Sequence, residues 1–241
     1  MLTHRTLLAL VIGLAGCSSS IACDDARGCV AEARQAEDEG RYDDAIASYT
    51  EAITFVDDSA GLFNARGSAA FKAGEMEASI ADFDRAIELD PSSEPYHWQR
   101  GIAHYYADRL EDCVAQFDLH RTVNPNDVEN SAWHFLCVAK LSGVEKARED
   151  FLPVSGDPRV PMREVAELFR GTAKVEDVIA AAKQDGSESA AFYAHLYLGL
   201  YYETIGDTES AAHHIQASVD DYPERHYMWH VARIHKELRD Y

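Results

Sequence analysis

The amino-acid sequence repeats with a period of 34 residues along the first half of the chain. Two sets of residues have this spacing, namely Gly40, Gly74 and Asp108, and Asp57, Pro91 and Pro125. Gly67 and Gly101 are separated by the same interval. A repeat of this length holds two short helices, and a proline after the second helix ends it because proline has no N–H to donate. The period therefore predicts a stack of helix pairs.

Small and aromatic residues recur at fixed positions inside each period. They are Tyr42, Ala45, Tyr49 and Ala52 in the first period, Met76, Ser79, Phe83 and Ala86 in the second, and Leu110, Cys113 and Phe117 in the third. Small residues let paired helices approach closely, and aromatic residues fill the groove between neighbouring pairs. This pattern resembles the tetratricopeptide repeat, which implies an all-α solenoid, a right-handed superhelix of helix-turn-helix repeats. Such a scaffold usually binds other polypeptides rather than doing chemistry.

The phase of the pattern divides the chain into five segments. We predict a signal peptide at 1–16, a tether at 17–25, three regular repeats at 26–127, a divergent repeat with an irregular helical insert at 128–190, and a fifth repeat with a capping helix at 191–241. The phase breaks near Pro153 and Pro161 and returns with Gly199 and Gly206. The last helix should cover the apolar edge of the fifth repeat. Its predicted inner stripe is Tyr227, Val231, Ile234 and Leu238.

The N-terminus has the pattern of an export signal. The apolar run Thr6 to Gly16 holds eleven residues, too few for a bilayer span, which needs ~20. The tetrad Leu14 to Cys17 resembles the lipobox of bacterial lipoproteins, in which the signal is cut before a cysteine that carries a lipid. The resemblance implies lipid attachment at Cys17 and export to the envelope, facing the periplasm, with Ser18 favouring the outer membrane. An ordinary secretory signal cleaved after Ala22 is the alternative.

The chain is strongly acidic. Acidic residues outnumber basic residues 42 to 22, which gives a formal net charge of −20 at pH 7. This charge argues against nucleic acid as a partner. The first repeat is dense in carboxylates, among them Glu37, Asp43 and Asp44. They form either a solvated outer face or an electrostatic surface for a basic partner.

The five cysteines are informative by position. Besides Cys17, Cys23 and Cys29 lie six residues apart at the start of the mature chain, where a disulfide is compatible with export. Cys113 and Cys137 fall on predicted helices, where we expect buried apolar thiols, with a disulfide between them as the alternative. No CxxC pair occurs, so the sequence does not support a zinc ribbon or a thioredoxin-type site.

Several stretches of the sequence resemble one particular group of repeat proteins, beyond the general repeat pattern. They are Gln99–Tyr106, Asn124–Asp127, Ala132–Ala139, Tyr197–Tyr202 and Gly206–Asp207. With the lipobox, the regular repeats and the irregular middle, they resemble the NlpI-type bacterial outer-membrane lipoproteins. The resemblance implies a homodimeric, lipid-anchored adaptor without catalytic activity that docks cell-wall hydrolases and a processing protease in the periplasm. The chain departs from that family in being richer in cysteine and histidine and in starting its repeats almost directly after the tether.

The first helix of each pair lines the concave surface of a tetratricopeptide array. In family register, the groove positions are Asn64, Ser68 and Phe71 in the second repeat, and Trp98, Ile102 and Tyr105 in the third. A bound helix or extended peptide would contact aromatic side chains there, which supply a large contact area with few rotors to freeze. The alternative is that Trp98 and Tyr105 pack against the neighbouring repeat.

Eleven histidines raise the alternative of a metal-binding protein. His226 and His230 are four residues apart on one predicted helix, and His213 and His214 lie on the preceding helix. A metal site needs three or four converging ligands. We therefore interpret these histidines as surface and capping residues and predict no metal and no cofactor.

The sequence contains no clear reaction motif. His134 and Cys137 have the spacing of a base and a nucleophile, but they lie in an apolar helix without a visible third group, which favours structural roles. We predict a lipid-anchored, non-enzymatic adaptor that recruits proteins through its groove. A histidine-rich metal-binding lipoprotein is the alternative, and a hydrolase hidden within residues 133–170 is a third hypothesis.

Overall fold

The computed structural model describes residues 23–154, 156–223 and 226–241. Within these residues the chain forms α-helices and no strand, which confirms the predicted all-α fold. The first six helices form three pairs, α1 (Ala26–Asp38) and α2 (Tyr42–Phe55), α3 (Ala60–Lys72) and α4 (Met76–Leu89), and α5 (Trp98–Tyr106) and α6 (Leu110–His120). A 3₁₀ helix, Pro91–Tyr96, connects the second pair to the third.

Seven further helices complete the described part of the chain. They are α7 (Val128–Ser142), α8 (Val144–Glu149), α9 (Met162–Arg170), α10 (Val175–Asp185), α11 (Glu188–Thr204), α12 (Thr208–Asp220) and α13 (Tyr227–Leu238). In the regular part, the two helices of a pair pack together, and the second helix also packs on the first helix of the next pair. This connectivity is that of a solenoid, and α12 with α13 continues it at the C-terminus.

The turn inside each pair explains part of the 34-residue period. Gly40, Gly74, Asp108 and Gly206 occupy equivalent turns between paired helices, and all four have a positive φ, between 61° and 86°. Glycine adopts this left-handed conformation without the clash that a Cβ causes. The recurring glycine is therefore a steric requirement of the turn, which Asp108 meets at φ 61°.

A second glycine position brings paired helices into close contact. A Cβ built on Gly67 would lie 3.2 Å from the Phe83 ring, and one on Gly101 would lie 2.8 Å from the Phe117 ring. In the fifth repeat, a Cβ on Gly199 would lie 2.6 Å from Ile215 Cγ1. The distances at Gly101 and Gly199 leave no space for a methyl group, whereas at Gly67 the neighbouring atoms would have to move by a few tenths of an ångström.

Gly199→Ala should therefore lower the free energy of unfolding by about 2 kcal/mol, the usual cost of overpacking. The added methyl group would also lie 3.1 Å from the backbone nitrogen of Ile215, so a change of side-chain rotamer alone cannot relieve the clash. Gly61→Ala is the matched control, because its Cβ would meet nothing closer than 3.9 Å. On α3 this control should be neutral or stabilising by up to ~1 kcal/mol. Urea unfolding of both variants measures the difference, and equal stabilities would contradict the prediction.

Both cysteine pairs form disulfides. Cys23 is bonded to Cys29, and Cys113 is bonded to Cys137 with the Cα atoms 6.1 Å apart. The expectation of free thiols at Cys113 and Cys137 is therefore wrong. The reason is packing: α6 and α7 lie side by side, and the two cysteines face each other where those helices meet.

The apolar core continues from α3 to α13, and a smaller cluster holds α1, α2 and α3 together. Val231 and Ile234 of the predicted inner stripe of α13 are buried. Leu238 is 45% exposed and does not belong to that stripe, because the helix ends there. Helix α13 also contacts α3, so it does more than cover the fifth repeat.

Candidate functional site

The last helix lies against the first helices of the second and third repeats. Tyr227 stacks on Phe71 of α3 with ring centroids 5.3 Å apart, and it meets Trp98 of α5 edge-on at 5.0 Å. Farther along α13, Arg233 donates a hydrogen bond to the carbonyl oxygen of Lys72. Helix α13 thus covers part of the surface that would form the peptide groove in an open array.

A buried polar network anchors α13 in this position. His235 is fully buried, and its Nδ1 lies 3.1 Å from the Tyr106 hydroxyl while its Nε2 lies 2.5 Å from Glu203 Oε2. Arg239 Nε donates to Glu203 Oε1 at 2.8 Å. Burial acts to raise the pKa of Glu203, but His235 and Arg239 outweigh it and hold that pKa at about 2. The network joins α13 to α5 and α11.

The structure corrects the exposure expected for three of the six predicted groove residues. Phe71, Ile102 and Tyr105 are at most 2% exposed. Tyr105 packs edge-on against Trp133 of α7 at 5.4 Å, so the alternative of packing between repeats describes it correctly. The other three groove residues, Asn64, Ser68 and Trp98, are partly exposed. Contact of these positions with a partner stays a prediction.

A cavity of about 610 Å³ lies beside the N-terminal end of α13. Six aromatic residues line it, namely Tyr96, Trp98, Phe117, Trp133, Tyr193 and Tyr227. The polar part of the lining is His120, Asn124, Asp127, Glu129, Asn130 and His226, and the rest is Ile102, Val123 and Met228. This volume and largely aromatic lining are typical of sites that bind small molecules or side chains.

An acidic cluster borders the cavity at the start of α7. Arg159 lies between three carboxylates, and its Nη2 is 2.6 Å from both Asp127 Oδ1 and Asp157 Oδ2. Its Nη1 donates to Glu129, which also accepts a hydrogen bond of 2.7 Å from the Tyr197 hydroxyl. Burial raises the pKa of Glu129 above its ordinary value. Three carboxylates thus share one guanidinium.

The buried polar atoms of the cavity lining that have no hydrogen-bond partner among the described residues include two on α7. They are Oδ1 of Asn130 and Nε1 of Trp133, and the two residues are 3% and 1% exposed. Buried polar groups are normally paired, because an unpaired one costs about 1–3 kcal/mol. Asn130 and Trp133 both line the cavity, so one unpaired acceptor and one unpaired donor lie in its wall.

Sequence reasoning missed the acidic cluster. Asp127 has a local signal, since it is the N-cap of α7 and accepts a hydrogen bond from the Glu129 N–H. Arg159 has none, because it lies about 30 residues away in an irregular segment between α8 and α9. Only the folding of that segment back against α7 brings Arg159 and Asp157 to the cavity.

The four histidines considered as metal ligands have different neighbours in the described part of the chain. His226 stacks on Tyr193, whereas His214 Nδ1 lies 3.1 Å from His195 Nδ1. No group of three or more potential metal ligands is found among the described residues. Cys137 cannot act as the nucleophile of a pair with His134, because it is bonded to Cys113.

The predicted lipid attachment lies outside the described residues, since Cys17 precedes residue 23. The part of the chain that the structure describes includes no helix with the length and hydropathy of a membrane span.

Comparison with known proteins identifies the fold. A family profile for the tetratricopeptide repeat matches residues 30–94. A tetratricopeptide repeat protein from Parabacteroides merdae is similar with a TM-score of 0.57 and 16% identity, over 87% of this chain and 83% of that chain. MamA from Desulfovibrio magneticus is similar with a TM-score of 0.52 and 14% identity, over 81% of this chain and 94% of that chain. A search of curated proteins gives no match. The chain is an all-α tetratricopeptide solenoid.

Proposed function

We propose that the protein is a non-enzymatic adaptor that binds a segment of another protein in the cavity beside α13. The observation that carries this proposal is the aromatic cavity with its unpartnered Asn130 Oδ1 and Trp133 Nε1, within a solenoid of the type that binds polypeptides. Because α13 covers part of α3 and α5, the cavity is one part of the predicted groove that stays accessible. Trp98 and Ile102 are the groove residues that line it.

Attachment to the bacterial envelope belongs to the same proposal. The apolar run before Cys17 and its likeness to a lipobox support export and lipid attachment at that cysteine, with the domain facing the periplasm. The two disulfides support an oxidising compartment, since such bonds are rare in the cytosol. Ser18 favours the outer membrane as the location of the anchor.

The resemblance to NlpI-type lipoproteins supports cell-wall hydrolases and a processing protease as clients, and a homodimer as the assembly. An anchored adaptor that holds two such proteins would raise their effective concentration for each other. In this proposal the adaptor itself catalyses no reaction on either client.

A photo-crosslinking amino acid in the cavity tests the proposal directly. Tyr96 is the suitable position, since it lines the cavity and is 62% exposed. Phe55 is the matched control, an exposed aromatic residue at the end of α2 and outside the cavity lining. We expect crosslinks to envelope proteins from position 96 of the lipidated protein and fewer from a Cys17→Ala variant. The same products from positions 96 and 55 would contradict binding in the cavity.

Trp98→Ala should weaken capture of those partners by at least tenfold while leaving the helical content unchanged. The reason is that buried aromatic side chains commonly dominate binding energy. Trp229→Ala is the matched control, because Trp229 is also partly buried but lies outside the cavity lining. Quantitative mass spectrometry after crosslinking measures both variants. Unchanged capture by Trp98→Ala would remove the cavity from the proposed function.

A further inference from the structure

The charges that line the cavity have one sign. Asp127 and Glu129 are the charged carboxylate residues among the lining residues, and no lysine or arginine belongs to the described lining. Behind them lies Asp157, whose pKa burial acts to raise, although hydrogen bonds from Arg159 and the Val128 N–H bring it below its ordinary value. With three carboxylates and one guanidinium, the cluster keeps a formal charge of −2.

The aromatic walls complement this charge. Trp98, Trp133, Tyr193 and Tyr227 line the same cavity as the carboxylates. A cation over an aromatic face is attracted by the ring quadrupole, more strongly where water is excluded. The aliphatic stem of a lysine or arginine can at the same time lie along the apolar part of the rings. Arg159 already shows this kind of contact, with its guanidinium carbon 5.6 Å from the centre of the Tyr193 ring.

The unpartnered polar atoms fit the same class of ligand. Asn130 is 97% buried, and its Oδ1 is an acceptor that an ammonium or guanidinium N–H can use. Trp133 Nε1 is a donor, which matches a backbone carbonyl oxygen of a bound polypeptide. A negatively charged ligand would leave the acceptor unpaired and approach two carboxylates.

We propose that the cavity recognises a lysine or arginine side chain of a partner polypeptide, with the charged end near Asp127 and the stem between the aromatic rings. This inference rests on the proposed function and names the chemistry of its partner. The acidic cluster supplies the selectivity for a cation, and the aromatic walls and Asn130 position it.

Blocked amino acids test the charge requirement without knowledge of the partner. The probes are the Nα-acetyl methylamides of lysine, arginine, norleucine and glutamate, and norleucine has the lysine stem without its charge. The readout is the indole N–H signal of Trp133 in NMR titrations of the folded protein. We expect lysine and arginine to bind at least fivefold more tightly than norleucine, and glutamate not to bind. Equal affinity for lysine and norleucine would overturn the proposal.

Asp127→Asn tests the role of the carboxylate, since asparagine removes the charge but is also a good N-cap and should preserve α7. We expect this variant to bind the lysine probe at least threefold more weakly than the parent protein does. Its affinity for the norleucine probe should be unchanged. Asp207→Asn is the matched control, an aspartate-to-asparagine change at the N-cap of α12, outside the cavity lining. Equal losses in both variants would overturn the role of Asp127.

Two further outcomes separate this inference from the proposed function. If partner crosslinking at position 96 persists but no probe prefers a positive charge, the inference fails and the adaptor proposal stands. If choline binds more tightly than the lysine and arginine probes and no crosslink forms, the cavity takes a free cation rather than a polypeptide, and both proposals fail.

Discussion

Lowering the pH from about 6.5 to about 4 is expected to reduce the free energy of unfolding by several kcal/mol. Burial, aided by nearby positive groups, lowers the pKa values of His104, His214 and His230 to about 4. In the unfolded chain, each imidazole takes up its proton near the ordinary pKa of about 6.5. Protons then bind the unfolded state preferentially, so stability is highest above pH 6.5 and falls as the pH approaches 4. Each histidine contributes on the order of a few kcal/mol to the acid-induced loss in the free energy of unfolding. Urea unfolding between pH 4 and 7 measures the slope.

His104→Leu identifies the contribution of one histidine. His104 is 1% exposed, and neither ring nitrogen has a hydrogen-bond partner among the described residues. The variant should lower the number of protons taken up on unfolding by about one, because leucine cannot be protonated. If His104→Leu keeps the full slope, its protonation does not oppose folding.

The helix that covers the groove should share in this acid sensitivity. His230 lies on α13 with its Nδ1 3.3 Å from the Tyr42 hydroxyl, and Lys72 and Arg233 help to lower its pKa. A proton on His230 would place a third positive charge beside those two. Acid should therefore weaken the contact of α13 with the first repeats before it disrupts pairs such as α3 and α4.

Replacing both Cys113 and Cys137 by alanine is expected to lower the free energy of unfolding by about 3 kcal/mol. The bridge spans a sequence separation of 24 residues and joins α6 to α7, so it restricts a large loop of the unfolded chain. Both cysteines are fully buried, and alanine leaves no polar group unpaired at either position. Urea unfolding of the variant beside the oxidised parent protein measures the change.

Cys23→Ala with Cys29→Ala is the matched control for this loss. Its bridge spans a separation of six residues at the start of α1, and the chain-entropy estimate for so short a loop is about 2 kcal/mol. The loss should therefore be smaller than for Cys113 and Cys137. An equal or larger loss in the control would mean that loop length does not govern the effect of these bridges.

The elements that could be predicted from the sequence have local or nearest-neighbour causes. Gly74 and its equivalents recur because each turn needs a left-handed residue, and Gly101 because Phe117 lies against it in the same pair. These causes act within one or two helices, so each repeat displays them independently. The all-α solenoid, its pairing and the position of its last helix along the chain follow from them.

The candidate site depends on contacts between distant parts of the chain. Tyr227 meets Phe71 and Trp98 across more than 120 residues, and Arg159 meets Asp127 across 32. No periodicity encodes such contacts, because they depend on the curvature that accumulates as repeats stack and on the path of the irregular segment before α9. The sequence by itself determined the helix pairs and their order. Tertiary structure alone decided that α13 covers part of the groove, that Phe71 and Tyr105 are buried, and that aromatic rings and carboxylates enclose one cavity.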